Sequence, residues 1–151
     1  QAVRSSGAGA VLDVLLRTLQ RLHVVRALQA ERVGTVTATL VAIDADVLHE
    51  LLGNLLDNAF RWARRRVQVS LGDEAGAGLL RLCIDDDGPG IAPQRRAEAL
   101  QRGRRLDETQ PGSGLGLAIA DELVRLCGGT LALEDSPLGG LRVRLALPLA
   151  A

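Results

Sequence analysis

Two asparagines one helical turn apart, Asn54 and Asn58, form the first pair in the sequence whose type and spacing suggest chemistry. Asparagine is a poor helix former and costs up to roughly 0.7 kcal/mol relative to alanine inside a helix. Its neutral amide oxygen, however, can bind a hard cation such as Mg²⁺ without cancelling the charge that the cation presents to a phosphate. The alternative is a solvated helix face with two asparagines by chance, which for this helix alone is the more common case.

Two glycine-rich stretches follow the asparagines. Asp86-x-Gly88-x-Gly90 comes at the end of a predicted strand, and three alternating glycines at 112–116 lead into a predicted helix. Glycines at a helix N-terminus let backbone N–H groups close around an anion such as phosphate. Asp86 is typical of a turn cap, or of an acceptor for a purine amino group with the glycines letting the base lie against the backbone. The glycine spacing and the loop before it exclude a Rossmann fingerprint.

The segment between the two glycine motifs is rich in arginine and poor in apolar residues. A segment of about twenty residues of this kind is often a lid over a site. Guanidinium groups on a lid suit a triphosphate, although a solvated face is the ordinary role of such a charge run. The arginines concerned are Arg95, Arg96, Arg102, Arg104 and Arg105.

Hydrophobic periodicity predicts the elements that position these residues. Leucines at helical spacing predict a helix over 11–28, with an ion pair between Asp13 and Arg17 on its outer side. The asparagine helix, over about 49–63, has an apolar face and a polar face that carries Glu50, Asn54, Asp57, Asn58 and Arg61. Strands are predicted at 35–43, 66–71, 79–85, 130–134 and 141–147, and a last helix runs from the second glycine motif to Cys127. These patterns predict an α/β two-layer sandwich, with a sheet covered by helices on one side.

The composition fits one domain and excludes several classes of function. A chain of 151 residues with 47% hydrophobic residues can bury a sizeable core, with 1–10 as a leader or linker remnant and 11–151 as the domain. All 18 basic residues are arginine, so the chain has neither a P-loop lysine nor a Schiff-base lysine. Zero net charge argues against a nucleic-acid surface, and no apolar run is long enough for membrane insertion. Cys83 and Cys127 are predicted to be buried free thiols in a reducing compartment, with one disulfide as the alternative.

The order of the motifs resembles that in the catalytic, ATP-binding domain of bacterial sensor histidine kinases. That domain belongs to the GHKL superfamily, which includes gyrase B, the Hsp90 chaperones and MutL. Asn54 to Asn58 resembles its N box, Asp86 to Gly90 its G1 box and 112–117 its G2 box, and the likeness covers about 11–149. The residues around these motifs are most similar to PhoQ-type kinases. The resemblance implies a Bergerat-type sandwich, in which a mixed sheet of about five strands is covered on one face by three helices.

The resemblance also implies roles for individual residues. Asn58 would bind Mg²⁺, with Asn54 supporting the metal or the phosphates, and Asp86 would accept the amino group of adenine. Arg61 matches the basic residue that reaches the phosphates, and Trp62 the aromatic residue that stacks on adenine. The remaining nucleotide contacts would come from Gly88, Gly90, Ile91, Arg104, Arg105, Gly112, Ser113, Gly114, Leu115, Gly116 and Leu117.

The chemistry implied is transfer of the γ-phosphoryl group of ATP to a histidine rather than fast hydrolysis. Hydrolysing members of the superfamily carry a glutamate at the position of Asn54, and an amide cannot act as a base toward water. Positioning and charge neutralisation would supply the catalysis. Glu50, one turn before Asn54, is either a base toward an incoming histidine or a solvated helix carboxylate.

The acceptor histidine of the family, which is followed by an acidic residue and a proline, is missing: His23 is followed by Val-Val-Arg, and His49 lies within the N-box helix. We therefore expect the dimerisation domain that carries it to lie N-terminal to this chain. The chain would then be a cytoplasmic portion of an inner-membrane receptor that signals to a response regulator. An isolated catalytic domain is expected to bind ATP without phosphorylating itself.

The lid departs from the family pattern at two places. Ala99-Leu100 stands where phenylalanine is expected, and Gln110 stands where PhoQ-type lids have arginine, with Arg104 or Arg105 as a substitute. These departures keep a second hypothesis open, a degenerate nucleotide-binding or interaction module without transfer activity. A third hypothesis is a serine-specific anti-sigma-factor kinase of the same fold.

Overall fold

A computed structural model describes residues 6–22, 28–33, 40–74, 78–101 and 116–150. The elements in chain order are β1 (Ser6–Gly7), α1 (Ala8–Leu22), β2 (Gln29–Val33), β3 (Leu40–Val41), α2 (Ala45–Trp62), β4 (Arg66–Glu74), β5 (Leu79–Asp86), a 3₁₀ turn (Pro93–Arg95), α3 (Arg96–Ala99), α4 (Gly116–Leu126), β6 (Thr130–Asp135) and β7 (Leu141–Pro148). Five strands form one mixed sheet in the order β2, β4, β5, β7, β6, in which β2 and β4 are parallel and the other neighbours are antiparallel.

Three helices cover one face of this sheet. Helix α2 lies in the middle and contacts β5, with α1 next to β2 on one side and α4 next to β6 on the other. The core between the two layers consists mainly of leucine, valine, isoleucine and alanine side chains, with Phe60 among them. This arrangement confirms the predicted α/β sandwich, to which α3 adds a fourth, short helix. None of the described helices is long and apolar enough to cross a membrane.

The alternating strands face the core as their sequence patterns predict. Leu80, Leu82 and Ile84 of β5 are at most 1% exposed, and each is paired with a buried residue of β7. The predicted hairpin of β4 and β5 and the predicted pair of β6 and β7 are both present. Strand β4 continues to Glu74, beyond its predicted end at 71, because Gly72 to Glu74 still pair with β5.

Residues 6–10, which were expected to belong to a leader, are part of two elements. Ser6–Gly7 pair with Leu40–Val41, and α1 begins at Ala8, before the predicted helix start at 11. Of the predicted strand over 35–43, residues 35–39 lie outside the described residues, and Leu40–Val41 form β3. Ala42 donates a backbone hydrogen bond to Pro148 at 2.8 Å, so β3 also borders the end of β7.

Helix α1 and the strand after it differ from the prediction. The helix is described as far as Leu22, residues 23–27 of the predicted helix lie outside the described residues, and Leu28 is not helical; β2 follows where no strand was predicted. The predicted ion pair of Asp13 with Arg17 is wrong, because Asp13 binds Arg32 at 2.8 Å. Arg32 belongs to β2, whose pairing with β4 brings this arginine next to α1.

Helix α4 ends as the double glycine predicts. Gly128 has a φ of 84°, in the left-handed region that glycine adopts without strain. Gly129 then donates a backbone hydrogen bond to Val124 at 2.8 Å. Glycine therefore ends the helix in the usual way for a C-terminus.

The two cysteines are free thiols, which rules out the alternative of a disulfide. Cys83 is buried as predicted, whereas the predicted burial is wrong for Cys127, which is partly exposed just after α4. Burial raises the pKa of both thiols, so neither is a ready nucleophile at neutral pH.

Candidate functional site

The polar face of α2 is partly buried rather than solvated. Asn58 is only 7% exposed, Asn54 is half-buried, and Glu50 is exposed. The Asn58 amide makes no hydrogen bond among the described residues. Among the described residues, every side-chain nitrogen or oxygen that is fully sealed from solvent has a hydrogen-bond partner. The Asn58 amide is therefore not fully sealed from solvent, although its burial makes the solvated-face alternative wrong for this residue.

Helix α2 is buried on more than one face because it lies between α1 and α4. Periodicity predicts an apolar stripe of Leu48, Leu52, Leu55, Ala59 and Ala63, and the structure also fully buries Leu51, Leu56 and Phe60. The start of α4 is close to the asparagines, since a Cβ placed on Gly116 would lie 3.7 Å from the carbonyl oxygen of Asn54. The last glycine of the second motif therefore lies beside the N-box helix.

Asp86, the last residue of β5, is a buried carboxylate with two unlike oxygens. It is 3% exposed, and its Oδ1 accepts hydrogen bonds from the backbone N–H groups of Gly88 at 2.8 Å and Leu141 at 3.3 Å. Its Oδ2 accepts none among the described residues. Because every fully sealed side-chain oxygen of the described residues has a partner, Oδ2 is not fully sealed from solvent.

Burial raises the pKa of the Asp86 carboxyl, because the charged form loses hydration. The hydrogen bonds from Gly88 and Leu141 lower this pKa in part, and the charges of Asp87 and Asp85 raise it further. A donor that reaches Oδ2 would stabilise the charged form that burial penalises. The carboxylate is therefore prepared to accept a hydrogen bond from a ligand.

The glycines around Asp86 are packed too closely for side chains. A Cβ on Gly88 would overlap the carbonyl oxygen of Trp62 and lie 3.0 Å from its carbonyl carbon. A Cβ on Gly140 would lie 2.6 Å from both the backbone oxygen of Asp86 and the backbone nitrogen of Gly88. Gly90 has a φ of 70°, which side chains rarely allow. The G1 turn is therefore held between the end of α2 and the turn that joins β6 to β7.

Asp87 joins the G1 turn to the end of α2. Its Oδ1 accepts hydrogen bonds from the backbone N–H groups of Arg64 at 2.7 Å and Arg65 at 3.0 Å. Partial burial alone would raise the pKa of Asp87, but backbone hydrogen bonds from Arg65, Arg66 and Arg64 outweigh it and lower the pKa. Asp87 thus stays ionised and holds the strand of Asp86 against the helix of Asn58.

The other predicted site residues fall into three groups. Arg61 forms an ion pair with Asp57 at 3.0 Å, and Trp62 and Ile91 are half-buried at the edge of the G1 turn. Leu117 is 7% exposed and packs in the core beside Gly116. The predicted residues outside the described part of the chain are Arg104, Arg105, Gly112, Ser113, Gly114 and Leu115.

Sequence reasoning missed the contribution of the β6–β7 side of the site. Gly140 and Leu141 contact Asp86 directly, and Arg142 binds the neighbouring Asp85 through two hydrogen bonds of 2.8 and 3.1 Å. In the sequence, Gly139-Gly140 is typical of an ordinary turn. Only the contact of Gly140 with Asp86 shows that this turn is part of the site. The described residues contain no group of three or more histidine, cysteine or acidic side chains placed to hold a metal.

A family model described as histidine kinase-, DNA gyrase B- and HSP90-like ATPase matches residues 43–151. The chain belongs to this ATPase family. Among curated relatives, it is 56% identical over 106 residues to the sensor protein kinase CarS of Pseudomonas aeruginosa. It is 44% identical over 108 residues to the two-component sensor PhoQ of the same species. Each alignment covers 70% of the chain but only 23% and 24% of these relatives, so the chain spans about a quarter of their length.

Solved structures of sensor kinases share the fold of this ATPase-family domain. The mycobacterial sensor histidine kinase MprB matches with a TM-score of 0.83 and 32% identity over 98% of both chains. The ATP-binding domain of PrrB from Mycobacterium tuberculosis matches with a TM-score of 0.78 and 27% identity over 97% of both. The catalytic domain of the histidine kinase ThkA matches with a TM-score of 0.87 and 15% identity, and at this identity the match shows only a common fold. Together with the family match, these likenesses confirm the resemblance to sensor histidine kinases.

Proposed function

We propose that the domain binds ATP with Mg²⁺ and donates the γ-phosphoryl group to a histidine on a separate dimerisation domain of a two-component sensor kinase. The observation that carries this proposal is the Asp86 carboxylate, of which the backbone holds one oxygen while the other has no partner among the described residues and is not fully sealed from solvent. Membership of an ATPase family and likeness to sensor kinases support ATP as the substrate.

Adenine recognition rests on the G1 turn. Asp86 accepts the 6-amino group of adenine at Oδ2, which no described residue occupies. Gly88 and Gly90 shape the floor of the adenine pocket, because without side chains the turn packs closely against Trp62 and Gly140. Trp62 and Ile91, both half-buried beside this turn, supply the apolar surface for the ring.

Metal and phosphate binding rest on α2 and the start of α4. Asn58 would hold Mg²⁺ through its amide oxygen, and Asn54 would support the metal or the phosphates. The fit is chemical: neutral amides leave the charge of the ion available to the phosphates, which it would neutralise when bound. Arg61 reaches the phosphates from the end of α2. The remaining phosphate contacts come from Gly112, Ser113, Gly114, Leu115, Gly116, Leu117, Arg104 and Arg105.

The transfer itself needs positioning more than acid–base chemistry. An imidazole nitrogen attacks the γ-phosphorus in line, a P–N bond forms, the P–O bond to ADP breaks, and the ring loses its proton. Asn54 cannot activate water, so hydrolysis stays slow. Glu50 is exposed on α2, where an incoming histidine domain can reach it, and it acts either as a base or only as a solvated carboxylate.

The acceptor histidine lies on a dimerisation domain of the same receptor, and the phosphoryl group passes on from it to a response regulator. We place the domain on the cytoplasmic side of an inner-membrane receptor. The relatives, of which this chain covers about a quarter, are by name a sensor protein kinase and a two-component sensor.

The test is an ATP titration with and without Mg²⁺, followed through the fluorescence of Trp62, the only tryptophan. We expect saturable binding that Mg²⁺ strengthens, and no phosphorylation of the chain itself. Adding the dimerisation domain of a sensor-kinase relative should produce acid-labile phosphohistidine on that domain. Absence of binding at millimolar ATP refutes the proposal, and binding without transfer to any supplied domain favours a degenerate nucleotide-binding module.

A further inference from the structure

The turn that joins β6 to β7 contacts the adenine side of the site although none of its residues belongs to the N, G1 or G2 box. Gly140 donates a backbone hydrogen bond to the carbonyl oxygen of Asp86 at 3.1 Å. The next residue, Leu141, donates to Oδ1 of the same aspartate at 3.3 Å. One short stretch therefore binds both the main chain and the side chain of Asp86.

This contact leaves no room for a side chain at Gly140. A Cβ there would lie 2.6 Å from two backbone atoms of the G1 turn and closer still to Asp86 Oδ1. Separations under 3 Å force a shift of the neighbouring atoms, and here two of those atoms are backbone. Gly139 differs, because a Cβ placed on it meets nothing within 4 Å. The close approach is thus specific to one of the two glycines.

The stretch is also firmly anchored on both sides. Ser136 donates a backbone hydrogen bond to Gly140 at 2.9 Å, which closes the turn. Arg142, one residue after Leu141, binds Asp85 through a paired contact of 2.8 and 3.1 Å. Because Asp85 precedes Asp86 on β5, this ion pair fixes the two strands in register next to the carboxylate.

We propose that Gly140 and Leu141 are positioning residues that set the preference for adenine. They hold Oδ1 of Asp86 with the help of Gly88, so that only Oδ2 is available to a base. A carboxylate held in this way presents one fixed acceptor to an amino group, whereas a rotating carboxylate would accept less specifically. The inference rests on the proposed adenine recognition by Asp86 and adds the element that controls it.

The test compares two nucleotides on the whole chain by isothermal titration calorimetry. The probes are ATP and purine riboside triphosphate, which lacks only the 6-amino group. We expect Gly140→Ala to weaken ATP binding by about tenfold or more, the scale of one hydrogen bond to a charged acceptor. Binding of purine riboside triphosphate should change by less than about twofold. The ratio of the ATP affinity to the purine riboside triphosphate affinity should therefore fall toward the ratio measured for Asp86→Asn.

Two controls separate positioning from a loss of structure. Gly139→Ala introduces a strained φ in the same turn but no contact with Asp86, so it should keep the wild-type ratio. If Gly140→Ala does not fold, an amide-to-ester replacement at Leu141 removes the N–H donor without adding atoms, and it should lower the same ratio. Circular dichroism and thermal unfolding verify that each variant is folded.

The outcomes distinguish this inference from the proposed function. A wild-type chain that binds ATP no better than purine riboside triphosphate refutes adenine recognition by Asp86, and the inference with it. A wild-type preference that persists in folded Gly140→Ala, or in the ester variant, overturns the inference alone. Equal weakening of both nucleotides also overturns it, because a purely structural role would reduce both affinities together.

Discussion

Replacing Asp86 by asparagine should separate nucleotide recognition from folding. The substitution keeps the shape of the side chain and removes its charge. The two backbone donors, Gly88 and Leu141, bind Oδ1 and therefore require an acceptor at that position. In Asp86→Asn the amide oxygen must take the place of Oδ1, and the amide nitrogen must take the place of Oδ2. The variant thus presents a donor where the wild-type chain presents an acceptor.

The effect on stability follows from the raised pKa of Asp86. A carboxyl whose pKa is higher in the folded than in the unfolded state contributes stability at low pH and loses it as the pH rises through the folded pKa. The amide does not titrate and keeps both backbone hydrogen bonds. We therefore expect Asp86→Asn to unfold with a free energy within about 1 kcal/mol of wild type at neutral pH. The difference, wild type minus variant, should fall as the pH rises.

The effect on binding should be much larger. Losing one hydrogen bond from the adenine amino group to a charged acceptor removes about 1.5–3 kcal/mol, or about ten- to a hundredfold in affinity. The amide nitrogen would in addition face the amino group, donor against donor. Inosine triphosphate carries a carbonyl oxygen at the same position of the ring. The variant should therefore gain in affinity for inosine triphosphate relative to ATP.

The assay combines calorimetric titration of both nucleotides with thermal unfolding at two pH values, one near the ordinary aspartate pKa and one at neutrality. Unchanged ATP affinity in a folded variant refutes adenine recognition by Asp86. A loss of more than about 2 kcal/mol of stability at neutral pH would show that the carboxylate is mainly structural. A variant that prefers ATP to inosine triphosphate as strongly as wild type contradicts the assigned orientation of the two oxygens.

Three further predictions concern neighbouring residues. Asn58→Ala should abolish the part of ATP binding that depends on Mg²⁺ and leave Mg-free binding unchanged in the same titration. A variant whose ATP affinity increases with Mg²⁺ as much as that of wild type would refute the role of Asn58 as a Mg²⁺ ligand. Asp87→Asn should cost about 1 kcal/mol of stability at neutral pH. The pKa of Asp87 is lowered in the folded state, so the loss of stability in Asp87→Asn should be present above the ordinary aspartate pKa. It should vanish as the pH falls through the folded pKa. A stability difference that does not change with pH in urea unfolding would contradict this role of Asp87. Gly88→Ala should destabilise the fold by about 1–3 kcal/mol and shift the fluorescence of Trp62, whose carbonyl the new methyl group would overlap; a thermal midpoint equal to wild type would contradict the tight packing.

Much of the fold was predictable because its signals are local. Alternation along β5 predicted that Leu82 and Ile84 face the helices, and the glycines after α4 predicted where that helix ends. Strand β2 was missed because its alternation is weak: its residues are exposed or half-buried at the edge of the sheet. The prediction of Arg17 as the partner of Asp13 was wrong for a related reason. Arg32, the observed partner, becomes its neighbour only when that edge strand pairs with β4.

The candidate site was predictable in its motifs but not in its environment. Two amides one turn apart and an aspartate before two glycines are visible in the sequence. The burial of Asn58 depends on the helices that flank α2, and no pattern within α2 reports them. Periodicity therefore assigned Asn58 to a polar face, whereas the packed helix encloses it.

The sequence by itself determined which groups carry the chemistry: the amides of α2, the carboxylate of the G1 box and a backbone freed by glycine. It did so because residue type and short-range spacing are properties of the chain alone. Only the tertiary structure decided which oxygen of Asp86 is available, because Leu141, one of the two donors that occupy the other oxygen, lies 55 residues away on β7. The pairing of β5 with β7 brings them together, and pairing of that range is a property of the whole sheet.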